Sequence, residues 1–269
     1  MLQKIKDTVS YLQNKTSFEP EVGIILGTGL GGLVKEIEID HILEYNSIPH
    51  FPVSTVEGHH GKLIFGKLGQ KKVVAMQGRF HYYEGYTMEE ITFSIRVMKF
   101  LGIQYLFVSN ASGGVNPKFE IGDLMIISDH INLLPNPLIG QHTQEFGNRF
   151  PDMSETYSPE LIHKAENIAE KNSIKVQKGV YAATSGPTFE TPSEYKYFRI
   201  IGADTVGMST TPETIVAHQM GLPCFAISII TDLGVDGKIE TVTHEAVQEV
   251  ANQAEVKMTL IMKELISDL

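Results

Sequence analysis

Three short stretches of this 269-residue chain carry side chains whose types and spacing suit the binding of an anion and a heterocycle. The segment GRFHYYEGY (78–86) gathers Arg79, His81, Tyr83 and Glu84 immediately after an apolar run. The planar fork of Arg79 matches phosphate oxygens, His81 can add a donor, and Glu84 can orient or charge that histidine. The bland alternative is a surface turn with scattered aromatics. GTGLGG (27–32) also follows an apolar run and satisfies GxGxxG at Gly27, Gly29 and Gly32. It fits a dinucleotide turn, a plain tight turn, or a nest of backbone N–H groups and the Thr28 hydroxyl around phosphate. A dinucleotide unit wants a long helix next and an acid about 20 positions on. Here LVKEIEIDHILEYNSIPHFP breaks up quickly, although Glu44 can stand as the acid, and the nest is the favoured reading. In SGPTFET (185–191) the Glu190 carboxylate sits beside Phe189, a pairing that can bond ring N–H groups while the aromatic stacks. Thr191 there also reads as the cap of a helix starting at Pro192.

Two further segments supply backbone and hydroxyls. NASGGVNP (110–117) is a flexible strand-end turn, and in VGMST (206–210) Ser209 either caps a helix or donates to phosphate. His59-His60 invites a metal reading, but adjacent residues seldom address one ion and no partner has ligand spacing, so no metal is expected.

The elements that must position these groups alternate along the chain. Apolar runs predict strands over Val22–Leu26, Leu63–Leu68, Lys72–Gln77, Tyr105–Ser109, Leu124–Ser128, Val176–Thr184 and Cys224–Thr231. Helical spacing marks the N-terminus, Thr87–Leu101, Pro159–Lys171, Pro192–Ile201, Pro212–Met220 and Thr243–Leu269. Strands recurring between helices imply a largely parallel α/β sheet, and the Gly69-Gln70 hairpin makes it mixed. With no repeat or linker, residues 1–269 read as a single domain. Pro135–Tyr157 is the longest stretch without an element and reads as a functional loop packed through Phe146 and Phe150.

A formal net charge of −10 without a basic stripe argues against nucleic acid and anionic membrane as partners. The single cysteine, Cys224, excludes an intramolecular disulfide and reads as a core residue. No signal peptide or spanning segment is evident, so a cytoplasmic location is expected.

Taken in order, LGTGLG, GRFHYYEGY, NASGG, GPTFET and VGMST resemble the purine nucleoside phosphorylases of the homotrimeric kind, over nearly the whole chain. The resemblance implies the nucleoside phosphorylase fold, one α/β domain with a mixed central sheet flanked by helices. It implies phosphorolysis of purine (deoxy)ribonucleosides to base and (deoxy)ribose 1-phosphate in purine salvage, with phosphate as substrate and no cofactor. Thr28, Arg79, His81, Ser209 and the Ala111 amide would hold phosphate, His59 would lie beside it, and Glu84 would pair with His81. Tyr83, Met208 and His244 would contact the ribose, and Phe189 and Glu190 the purine. Phe146 would close a neighbouring subunit's site, implying a trimer. One position departs: many members that prefer 6-oxopurines have Asn in SxITN, and this chain reads SIITD with Asp232. An ionised Asp232 would favour a 6-amino group, as in methylthioadenosine phosphorylases, whereas Glu190 suits the N1–H of hypoxanthine or guanine. A protonated Asp232 can serve a 6-oxo base, so 6-oxopurines are the leading expectation, with broadened 6-amino use as the alternative.

Overall fold

The computed structural model describes residues 1–27, 31–53 and 61–269. The described residues form nine strands: β1 (Val22–Leu26), β2 (Glu38–Glu44), β3 (Lys62–Leu68), β4 (Lys71–Gln77), β5 (Tyr105–Gly114), β6 (Leu124–Asn132), β7 (Val176–Ala183), β8 (Thr205–Gly207) and β9 (Cys224–Leu233). They form one mixed sheet in the order β2-β3-β4-β1-β5-β8-β7-β6-β9, and β9 returns to pair with β5. Strands β5, β8, β7, β6 and β9 therefore close on themselves, which removes two edges that would otherwise need covering.

β1 is buried along its whole length because it runs parallel between β4 and β5 with both faces covered. That is why VGIIL reads as a continuous apolar run and not an alternating one. β3 and β4 form the expected hairpin. Sequence reasoning missed β2, an edge strand antiparallel to β3 whose side chains are mostly exposed and so carry no core periodicity. It also missed β8, which is three residues long.

The helices are α1 (Leu2–Thr16), α2 (Met88–Ile91), α3 (Phe93–Leu101), α4 (Pro159–Lys171), α5 (Pro192–Ile200), α6 (Thr211–Gln219) and α7 (His244–Ser267). The single helix expected over Thr87–Leu101 is broken at Thr92, whose hydroxyl donates to the Met88 carbonyl and competes with the helical ladder. The capping boxes at Thr87/Glu90 and Thr191/Glu194 are present. α1 packs on α3, and α7 packs on β9 and α4. α7 also reaches Gly32, whose N–H donates to the Glu255 carboxylate. Cys224 lies in the core as expected, its thiol pushed up to about 12 by burial. Among the described residues, no helix is long and apolar enough to cross a membrane.

Candidate active site

The carboxyl ends of β4, β5, β7, β8 and β9 converge with the first turn of α7 on one cavity of about 270 Å³. It is lined by Arg79, His81 and Tyr83 after β4, by Ala111 of β5, by Phe189 and Glu190 after β7, by Met208 and Ser209 after β8, and by Asp232 and His244. Thus most of the sequence-proposed groups meet in one place. Thr28 and His59 lie outside the described residues.

At one end stands Arg79, 1% exposed. Its Nε pairs with Glu213 Oε1 at 3.2 Å, and one terminal nitrogen donates to Ser209 Oγ at 2.9 Å and to Thr210 Oγ1 at 3.4 Å. Glu213, on the first turn of α6, is raised by burial and held down by Arg79. A buried guanidinium on such a fixed frame does not have to be ordered when an anion arrives. Thr210 sits at φ 68°, ψ −55°, a conformation that costs a β-branched residue on the order of 1–3 kcal/mol. Its hydroxyl is held by Arg79 and by Asn110 Nδ2 at 2.8 Å, contacts that fix the strained turn presenting Ser209. Ser209 does not cap α6; Thr210 occupies the cap position, and the Ser209 hydroxyl meets Arg79 instead.

His81 Nδ1 lies 2.9 Å from Glu84 Oε1, which also accepts from the His81 N–H at 2.8 Å. The imidazole stacks on Tyr83, ring centres 4.7 Å apart. Burial lowers the His81 pKa and Glu84 works against that shift. Glu84 is not in the cavity wall; its geometry is that of an orienting partner.

At the other end Phe189 is 40% exposed, its ring open to a ligand. Burial, reinforced by the neighbouring Asp232 charge, raises Glu190 to about 7. Asp232 is raised by burial, while hydrogen bonds from Thr231 and Tyr195 lower it. Thr231 Oγ1 lies 3.0 Å from Asp232 Oδ1, and the Tyr195 hydroxyl donates to Oδ2 at 3.1 Å. The register of β5 against β9 passes from Ser112↔Ile230 to Gly113↔Asp232, leaving Thr231 as an extra residue. This bulge turns consecutive residues Thr231 and Asp232 to the same cavity, which regular alternation forbids. Gly113 leaves the carboxyl its room opposite, since a Cβ there would come 2.8 Å from Asp232 Oδ2 and displace it. Gly186 is required, at φ 58° and with the Met208 thioether where its Cβ would be.

The long loop places its two phenylalanines differently. Phe146 is 5% exposed, with the Arg96 guanidinium 4.1 Å above its ring and Phe100 at its edge. Phe150 of the same loop is 88% exposed. Sequence reasoning also missed Tyr195, Glu213 and Thr210. Glu213 had a signal, a lone acid in a helix otherwise buried nearly all round. Tyr195, three positions inside a helix after its proline, had none.

A cavity at strand ends of an α/β sheet, with a guanidinium and hydroxyl at one end and two carboxyls at the other, has the chemistry to hold an anion and a heterocycle together. Residues 21–267 match the phosphorylase superfamily, and the chain belongs to that family. Within it, the chain is 47% identical over 268 residues to purine nucleoside phosphorylase 1 of Bacillus subtilis, covering 99% of each. Among solved structures it is similar to Schistosoma mansoni purine nucleoside phosphorylase in complex with adenosine, with TM-score 0.94, 40% identity and coverage of 99% of this chain and 97% of that one. The Schistosoma enzyme in complex with hypoxanthine matches with the same TM-score of 0.94, identity of 40% and coverage of 99% and 97%.

Proposed function

We propose that this chain cleaves purine ribo- and deoxyribonucleosides with inorganic phosphate, releasing base and (deoxy)ribose 1-phosphate, with 6-oxopurines favoured. The observation that carries the proposal is the polarity of the one cavity: Arg79, His81 and Ser209 at one end, Phe189, Glu190 and Asp232 at the other. A phosphate oxygen bonds to C1′ as the C1′–N9 bond breaks, and the proton given up by hydrogen phosphate ends on the departing purine. Positive charge developing on the ribose is met by the adjacent phosphate, so one group serves as nucleophile and counter-ion. Nδ1 of His81 is committed to Glu84, so Nε2 is the nitrogen that would address the phosphate. The family resemblance adds Thr28 and His59, which lie outside the described residues, to the phosphate set together with the Ala111 amide, and assigns Tyr83, Met208 and His244 of the cavity wall to the ribose.

At the base end an ionised Glu190 would accept from N1–H and, in guanine, from the 2-amino group. A protonated Asp232 would donate to O6 or N7 and so help the purine leave. No metal or organic cofactor enters this scheme. Association into a trimer belongs to the same proposal, supported by exposed Ile139 and Phe150 on the long loop, with Phe146 of that loop closing a neighbouring subunit's site as the resemblance implies. Purine salvage in the cytoplasm is the role we assign. The test is purine release from inosine, guanosine and adenosine, with and without phosphate. Strictly phosphate-dependent release is expected; phosphate-independent cleavage of inosine would make the chain a nucleosidase, and binding without turnover would make it a binding protein.

A further inference from the structure

His244 opens α7 and lines the cavity, and among the described residues its ring has one hydrogen-bond partner, the side-chain amide of Gln248. Gln248 Nε2 lies 3.0 Å from His244 Nε2. The two residues are four positions apart, about one helical turn, so they stand one above the other on the same face of α7. The first turn is itself fixed, because the Thr243 hydroxyl accepts from the Ala246 N–H at 3.2 Å. Gln248 is not in the cavity wall, so it acts on a bound molecule only through His244.

The chemistry of this contact has one solution. An amide nitrogen carries hydrogens and no lone pair to offer, so it can only donate. His244 Nε2 therefore receives, and a ring nitrogen that receives carries no hydrogen. The ring proton is thereby placed on Nδ1, and Nδ1 is the nitrogen left to meet a ligand. The other histidine of the cavity is held the opposite way. His81 Nδ1 faces an acceptor, the Glu84 carboxylate, at 2.9 Å, and its Nε2 is the nitrogen turned to the ligand.

We propose that Gln248 is a positioning residue that makes His244 a fixed hydrogen-bond donor to one ribose hydroxyl, and that it thereby selects sugars presenting an oxygen at that point. The inference rests on the ribose assignment made above. An imidazole in water moves its proton between its two nitrogens, so an unheld ring is a donor at Nδ1 only part of the time. With Gln248 in place the donor is ready when substrate arrives, and nothing has to be reordered. The hydroxyl oxygen accepts from Nδ1–H and keeps its own hydrogen to give elsewhere. A sugar lacking that hydroxyl leaves Nδ1–H without a partner in the cavity, and an unpaired donor is the strongest form of discrimination a polar site has.

Gln248→Leu isolates the amide, because leucine matches glutamine in helix propensity and offers no donor. Two measurements test the proposal on the full chain. Long-range proton–nitrogen NMR correlation of the ligand-free protein, with His244 assigned by its loss in His244→Ala, should show Nδ1 protonated and Nε2 bare. Gln248→Leu should shift that ring toward a mixture of the two forms. The second measurement is phosphate-dependent kcat/KM for inosine and for inosine lacking the 2′-, 3′- or 5′-hydroxyl. Gln248→Leu should lower the value for inosine about five- to tenfold, the worth of one hydrogen bond, and do the same for two of the three analogues. With the analogue that lacks the hydroxyl His244 meets, the substitution should have no effect. A proton on Nε2 in the unaltered protein, an equal loss for all four substrates, or no loss for inosine would each overturn the proposal. Failure of the unaltered protein to cleave inosine with phosphate would refute the function proposed above, an outcome told apart from these because the spectra do not depend on turnover.

Discussion

Replacing Asp232 with Asn tests the base end most directly. In the structure the carboxyl engages two hydroxyls, Thr231 at Oδ1 and Tyr195 at Oδ2. An amide keeps one oxygen as acceptor and turns the other position into a donor. One hydroxyl therefore loses its acceptor, at about 1 kcal/mol, a cost that falls on both substrates equally. The amide N–H₂ donates permanently to O6, which the carboxyl does only when protonated, and it opposes the 6-amino group that the carboxylate would accept. One hydrogen bond improved for inosine and one lost for adenosine, each worth about 1–1.5 kcal/mol, shift their ratio by about 2–3 kcal/mol. The assay is the ratio of kcat/KM for inosine and adenosine at saturating phosphate, expected to rise roughly 30- to 150-fold. An unchanged ratio in an active variant, or a shift toward adenosine, would refute the reasoning about this residue.

Glu213→Gln removes the buried partner of Arg79. It should raise the phosphate KM well before the nucleoside KM, and cost about 3–5 kcal/mol in stability by denaturant titration. Glu190 is raised by burial above its unfolded value, so the folded state prefers its protonated form; this contribution is full below the unfolded pKa of 4.5 and lost as pH rises through about 7. The ligand-free protein should accordingly lose up to about 3 kcal/mol between those limits, and Glu190→Gln should flatten that part of a Tm-against-pH curve. Phe146→Ala should lower Tm, with about 3–5 kcal/mol lost from the Arg96 and Phe100 packing. Phe150→Ala should leave Tm nearly unchanged, whereas Phe146→Ala, at the ring proposed for a neighbouring site, should also raise the nucleoside KM; sedimentation of the two variants separates folding from association.

The sequence by itself determined the chemistry at both ends of the site. Arg79, His81 and Glu84 fall within a few residues, and Phe189 with Glu190 is adjacent, so their types and spacing are local facts that survive without a fold. Strand β1 and the β3–β4 hairpin were legible for the same reason, being written in contiguous residues. Only the tertiary structure decided which side chains complete the site from afar. Tyr195 meets Asp232 across 37 positions and Arg79 meets Ser209 across 130, separations that no periodicity encodes. The different burial of Phe146 and Phe150 is of the same kind. Both are aromatics of one loop, and the cavity between Arg96 and Phe100 that takes the first exists only once α3 is packed in place. Asp232 shows both limits at once: its departure from the Asn pattern is plain in the sequence, but its aim into the pocket depends on a bulge where β9 passes β5. Its upward pKa shift comes from burial, opposed by the hydrogen bonds of Thr231 and Tyr195, and such burial belongs to the assembled sheet, because solvation is a property of the surroundings and not of the residue.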